Sequence, residues 1–202
     1  MQIVVLANDS LRLELLGELE HTAMDIVWVE HISALFENKE SDVFIDLLFE
    51  EKHLDVLQQL IRGLIIVNSV ERSLAEINSS FVRINGWPTF LSSGSIEAAA
   101  LNEDAKRKAE EIFSGFNKKL EWVPDEPGFI TPRVISMIIN EAFIALKEGV
   151  STKEEIDVAM KLGTNYPYGP FEWAEKIGID RIKALLEKLY RQKERYAPFI
   201  FT

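Results

Sequence analysis

The spacing of hydrophobic positions changes partway along the chain. From residue 1 to about 100, short β-branched apolar runs alternate with amphipathic stretches. The runs are IVVLA (3–7), DIVWVE (25–30), DVFIDLLF (42–49), LIIVNS (64–69) and FVRING (81–86), with segments such as SLRLELLGELE and KHLDVLQQLIRG between them. Short apolar strands separated by helical segments of about ten residues predict βα units around a largely parallel sheet covered on both faces. After Ala98 the period becomes helical. NEDAKRKAEEIFSGFNKK places Ala105, Ala109, Ile112, Phe113 and Phe116 on one face, and a short apolar LEWV and the breaker run PDEPG (124–128) follow. That run is the expected boundary between a sheet domain, 1–124, and a second domain, 125–202.

From Phe129 onward the pattern is helical only. One helix is predicted over about 131–148, with Ile135, Ile138, Ile139, Ala142, Phe143 and Leu146 on one face and Gly149 as its stop. The next begins at Ser151 or Thr152, since each has a glutamate three residues on (Glu154, Glu155) and fits a capping box; Gly163 is expected to follow its last turn. A short helix near 171–177 ends at Gly178. A last one, N-capped by Asp180, runs to about Arg191. The expected fold class is therefore α/β, a mostly parallel sheet followed by an all-α domain.

Composition narrows the function. The 202 residues include no cysteine, which excludes disulfides, zinc-thiolate sites and a catalytic thiol, and makes the cytoplasm the expected location. No metal site is expected. The N-terminus has no basic region, and no apolar run approaches the roughly 18 residues of a membrane span, so neither a leader nor a membrane association is expected. The formal net charge of −11 argues against a nucleic-acid partner, because the lysine and arginine clusters at 106–108 and 118–119 sit among acids.

The stretch PGFITPRVISMIINEAFIALKEGVSTKEEIDVAMKLGTNYPYGPFEWAEKIGID (127–180) resembles the C-terminal domain of 3-hydroxyacyl-CoA dehydrogenases. That family reads P-G-F-x-x-N-R, an N-E-A helix, an E-G turn, an E-D-I-D-x-A-M helix and Y-P-M-G-P-F-E before G-L-D. RYAPFIF at the end is similar to the family's R-Y-x-P segment. The first half is similar to the family's Rossmann-like NAD-binding domain in order and spacing. Glu30, after the second strand, matches the acid that takes the adenosine ribose, and Asp46 and Glu50 fall in a segment like I-E-A-x-x-E. IIVNS (65–69) and FVRINGWP (81–88) match the strands leading to S-N-T-S-S and H-F-x-N-P. The resemblance implies NAD as cofactor, oxidation of a 3-hydroxyacyl-CoA such as 3-hydroxybutyryl-CoA in fatty-acid metabolism, an acyl-CoA or other small ligand, and a homodimer formed through the helical domain.

The chemistry of that family can be checked residue by residue. Its pyrophosphate cradle is a G-x-G-x-x-G turn, where glycine allows the backbone to approach and the helix N-terminus supplies positive potential. Here Ala7, Asp9 and Arg12 stand in those places, and Asp9 is expected to N-cap the helix. The family base is a histidine oriented by a glutamate twelve residues later. Counting back from Glu97 gives Asn85, and aligning on Pro88 gives Ile84; neither accepts a proton near neutral pH. Glu97 is either an acid in a vestigial pocket or an acid in the first turn of a helix. The histidines, His21, His31 and His53, are expected at the surface or an interface. The family serine aligns with Val70, with Ser69 and Ser73 beside it, and the family asparagine with Pro132, which fits the start of a helix. Asn68 and Arg133 are retained as candidate substrate-cleft residues, although Arg133 could equally pair with one of the many acids. Trp28, Trp87, Trp122 and Trp173 are candidates to line a pocket for a different ligand, and YPYGPFEW (166–173) is expected to be a packed turn at a subunit interface. Only about eleven residues (31–41) separate the second and third strands, where the family carries a helical arm that helps to hold CoA. Two classes of function follow: an active dehydrogenase of acyl-CoA thioesters, or, as favoured by the four altered functional positions, a catalytically impaired homologue that works as a binding or assembly module.

Overall fold

The structure, a computed structural model, describes residues 1–17, 19, 24–60 and 62–199. The chain divides into two compact units, Met1–Phe129 and Ile130–Thr202. In the first, strands β1 (Gln2–Leu6), β2 (Asp25–Val29), β3 (Val43–Asp46), β4 (Leu64–Asn68), β5 (Val82–Ile84), β6 (Ser95–Ala99) and β7 (Lys119–Trp122) form one sheet in the order β2-β1-β3-β4-β5-β6-β7. Strands β1 to β5 are parallel to one another, β6 runs antiparallel to β5, and β7 is parallel to β6. The helices are α1 (Asp9–Leu16), α2 (Ile32–Glu37), α3 (Leu54–Leu57), α4 (Leu74–Ile77) and α5 (Glu103–Ser114).

Because side chains alternate along a strand, each apolar run feeds two cores. Ile3, Val5, Ile45, Ile66 and Ile84 pack on one face with Leu11, Leu15, Ala109, Ile112 and Phe113 of α1 and α5. Val4, Leu6, Phe44 and Val67 pack on the other with Leu35, Leu57 and Leu74 of α2, α3 and α4. The parallel sheet expected from the sequence is therefore present and covered on both sides.

Four local expectations are corrected. Strands β6 and β7 were not among the predicted five, since GSIEAAA is rich in alanine and LEWV is short; Glu97 accordingly lies on β6 and not in a helical turn. Asn8, not Asp9, caps α1: its Oδ1 accepts the Leu11 N–H at 2.9 Å, leaving Asp9 as the first helical residue. In the second unit, Gly178 and not Asp180 precedes the last helix, and Gly163 lies inside its helix, which ends with Asn165 in the left-handed region at φ 56°.

One residue in β5 breaks the apolar pattern. Arg83 is completely buried. Its Nε donates to Ser69 O at 2.9 Å, its Nη2 to Val70 O at 3.3 Å and Glu126 O at 3.4 Å, and its Nη1 to the Asp125 carboxylate; its guanidinium also lies 4.5 Å from the Phe129 ring centroid. Burial pulls the Arg83 pKa down, and the hydrogen bond and charge of Asp125 oppose that shift. Asp125 in turn accepts from Leu74 N at 2.9 and 3.0 Å, at the start of α4. With a Gly128 N–H to Val70 O bond of 2.8 Å, this fastens the PDEPG run to the sheet.

The second unit comprises α6 (Thr131–Lys147), α7 (Lys153–Thr164), α8 (Pro170–Ile177) and α9 (Ile179–Tyr190). The Thr152–Glu155 capping box forms as expected. Asp157 of α7 accepts Phe171 N at 2.8 Å and Glu172 N at 3.3 Å, so a side chain from one helix caps the next. A Cβ on Gly169 would meet Asp157 Oδ1 at 2.2 Å, which leaves glycine as the residue that fits there. Asn140 of α6 holds the tail, donating to Ala197 O at 3.2 Å and accepting Phe199 N at 2.7 Å. Among the described residues no helix is long and apolar enough to cross a membrane.

Replacing Arg83 with Met removes one partner of a buried ion pair, so Arg83→Met is expected to lower unfolding free energy by about 3–5 kcal/mol in urea titrations; a loss below about 1 kcal/mol would contradict the buried network.

Candidate functional site

The sheet reverses its strand order between β1 and β3, and in such sheets ligands sit beyond the carboxyl ends of the strands at that point. Leu6 is in register with both Val29 and Asp46, which brings Ala7, Glu30 and Asp46 to this edge. The turn after β1 is closed by side chains. Ala7 is buried, the Asn8 carboxamide takes one of the N–H groups that an anion at the helix start would use, and the Arg12 guanidinium lies 4.9 Å from the Trp28 ring centroid. Glu30 is exposed.

One register step further along, Asn68 is paired with Ile84 across β4 and β5. Its side chain is spent on the backbone: Nδ2 donates to Leu47 O at 3.0 Å and Gly86 O at 2.8 Å, and Oδ1 accepts Gly86 N at 2.9 Å. A Cβ on Gly86 would stand 2.7 Å from Asn68 Cγ, so glycine is needed for this brace. Ser69 is buried with its hydroxyl on Arg72 O at 3.2 Å, and Val70 is buried in full. Both Asn68 and Ser69 thus serve the turn after β4.

Asn85 and Glu97 meet as the twelve-residue spacing predicts, because β5 and β6 are antiparallel neighbours. The Asn85 N–H donates to Glu97 O at 2.9 Å, and Asn85 Nδ2 donates to Glu97 Oε2 at 3.2 Å. Asn85 is 3% exposed, and among the described residues its Oδ1 has no hydrogen-bond partner. The alternative position, Ile84, is wholly buried in the core. An amide in this seat can donate and accept hydrogen bonds but has no proton to exchange near neutral pH.

Sequence reasoning missed a second pair. His53 is buried and its Nδ1 lies 2.7 Å from Asp46 Oδ2, contrary to the surface or interface position expected of the histidines. Asp46 Oδ1 also accepts Leu48 N at 3.0 Å, and Phe49 packs edge-on to the imidazole at 6.5 Å. A carboxylate seven residues before a histidine was the available signal. Burial pushes the Asp46 carboxyl above the usual range, Glu50 adds to that, and the hydrogen bond and charge of His53 oppose it. His31 is exposed, and His21 lies outside the described residues.

The remaining candidates are individually accounted for. Trp87 is buried with Nε1 on Glu71 at 3.2 Å, Trp122 donates to Glu110 at 2.6 Å, and Trp28 packs against Arg12. In the second unit Tyr166 and Tyr168 stack edge-on against Trp173 at 5.4 and 6.1 Å; of YPYGPFEW, expected as a turn throughout, YPYG precedes α8 and PFEW is its first turn. Pro132 is buried at the start of α6, and Arg133 lies 5.9 Å from the Tyr196 ring centroid. Among the described residues no group of three or more histidines, aspartates and glutamates is placed to hold a metal ion.

Comparison with known proteins gives a consistent family signal for the second unit and a fold for the whole. Residues 128–200 match the model of the 3-hydroxyacyl-CoA dehydrogenase C-terminal domain. A 3-hydroxyadipyl-CoA dehydrogenase of Escherichia coli is 46% identical over 106 residues, covering 51% of this chain and 22% of the relative. A 3-hydroxybutyryl-CoA dehydrogenase of Clostridioides difficile is 42% identical over 82 residues, covering 41% and 29%. The chain thus spans less than a third of the length of these relatives. The crystal structure of an (S)-3-hydroxybutyryl-CoA dehydrogenase from Ralstonia eutropha superposes with a TM-score of 0.72 at 21% identity, covering 98% of this chain and 90% of that one. This likeness establishes the Rossmann-like sheet followed by a helical unit.

The Asp46–His53 pair has a pH signature. A carboxyl whose pKa is raised in the folded state contributes stability that is full below the ordinary aspartate range, near 3.9, and lost as pH rises through the raised value. Asp46→Asn, which keeps an acceptor for His53 without a charge, should therefore gain on the wild type as pH rises from about 4 to about 7. Parallel unfolding curves for the two proteins across that interval would refute the assignment.

Proposed function

Since residues 128–200 match the 3-hydroxyacyl-CoA dehydrogenase C-terminal domain, we propose that the chain is a catalytically impaired homologue of that family that binds or assembles rather than turns over substrate. The observation that carries this reading is Asn85, buried against Glu97 where the resemblance calls for a histidine base. Loss of a general base typically costs 10²–10⁴-fold in rate. The turn after β1 supports the same reading, because the Asn8 cap and the Asp9 carboxylate occupy and repel the place of a pyrophosphate. These residues do not suit NAD, and no step through that cofactor is assigned to the chain.

The assembly that we propose is a cytoplasmic homodimer built on the helical unit. Its support is the apolar surface that α7 leaves exposed, where Val158 is 50% and Leu162 83% accessible. Glu97, already seated beside residue 85, favours a second reading, an active oxidoreductase on a 3-hydroxyacyl-CoA such as 3-hydroxybutyryl-CoA in fatty-acid metabolism.

The two readings separate in one assay series. With acetoacetyl-CoA and NADH the wild-type chain is expected to show no turnover above background, and NADH at tens of micromolar no shift in melting temperature. Turnover that Glu97→Gln abolishes would establish the enzyme instead.

A further inference from the structure

A groove of about 480 Å³ runs along the N-terminal half of α6, lined by Arg133, Val134, Met137 and Ile138 and closed by Arg195 and Tyr196. Its volume falls in the range of small-molecule sites, and its lining is mainly apolar with a few polar groups at one end. The polar end is built around Tyr196, which is 3% exposed. Arg195 Nη2 donates to the phenol oxygen at 2.6 Å, and the guanidinium carbons of Arg195 and Arg133 stand 4.7 and 5.9 Å from the ring centroid. Burial would raise the Tyr196 pKa, but the hydrogen bond from Arg195 and the charges of both arginines outweigh it and bring the phenol below its ordinary value. This is a local positive field in a chain whose net charge is −11. The N-terminus of α6, a helix of 17 residues, adds to it.

The other end differs. Glu141 is the acid in the lining, two turns on from Arg133 and roughly 12 Å away along the helix axis. Between the two ends, Val134, Met137 and Ile138 offer aliphatic surface, and Val134 is 50% exposed.

We propose that this groove binds a monocarboxylate with an aliphatic tail, its carboxylate held at Arg195 and Arg133 and its tail lying over Val134, Met137 and Ile138 toward Glu141. A second carboxylate at the far end of the ligand would meet Glu141, so a dicarboxylate of equal length is disfavoured by like charge. The site lies wholly within the helical unit and does not depend on whether the chain is a dehydrogenase.

The test uses the full chain, titrated with octanoate by calorimetry while the Met137 methyl signal is followed by NMR. Saturable binding is expected to move that signal, to weaken by at least about tenfold in Arg195→Gln, and to be lost in Val134→Asp, an exposed site where the change spares folding. Suberate is expected to bind at least about tenfold more weakly than octanoate. Unchanged thermal melts of both variants establish that they are folded. Octanoate binding that is absent, that survives both substitutions, or that acetate matches at equal concentration overturns the proposal. Self-association broken by Val134→Asp, without octanoate binding, overturns it in favour of a second copy.

Discussion

An arginine enclosed in the sheet sets the terms for the carboxyl edge of the first unit. A guanidinium without water must find acceptors, and Arg83 finds them in the carbonyls of Ser69 and Val70, the carbonyl of Glu126 and the carboxylate of Asp125. The demand fixes the turn after β4, the start of α4 through Asp125, and the segment leaving β7. It also explains why Ser69 stands where it does: its carbonyl answers Arg83 while its hydroxyl closes the turn on Arg72. The neighbouring Asn68 clamps Leu47 and Gly86, so the ends of β3, β4 and β5 are tied by side-chain amide and guanidinium groups rather than left for a ligand.

The parts of the fold legible in the sequence were those governed by repeated apolar spacing. Strands β1 to β5 carry β-branched runs whose alternation fills two cores, and α5 and α6 carry unbroken helical stripes. Strands β6 and β7 escaped because an alanine-rich run and a four-residue KLEW give no such signal; their identity comes from pairing, β6 with β5 and β7 with β6. Caps were misplaced by one or two residues at Asp9 and Asp180, where adjacent residues compete and only the three-dimensional geometry chooses.

The candidate site was legible in its spacing and not in its environment. Counting twelve residues from Glu97 found Asn85, and the antiparallel pair brings the two together. Nothing in the sequence marked Arg83 as buried, because a charged residue reads as surface until its acceptors are known. In the helical unit the family motifs make physical sense as pairs. Asp157 of the I-D-x-A-M run caps the helix that follows Gly169, and Asn140 of the N-E-A run grips the R-Y-x-P tail.

The seat shared by Asn85 and Glu97 is held by the sheet as well as by side chains, through the Asn85 N–H to Glu97 carbonyl bond. Its shape is therefore kept by selection for folding even where selection for chemistry is absent. Asparagine and histidine codons differ by a single nucleotide, so at this position an inert chain and one carrying an imidazole opposite Glu97 are mutational neighbours. Drift across that step in either direction leaves the backbone pairing of β5 with β6 in place.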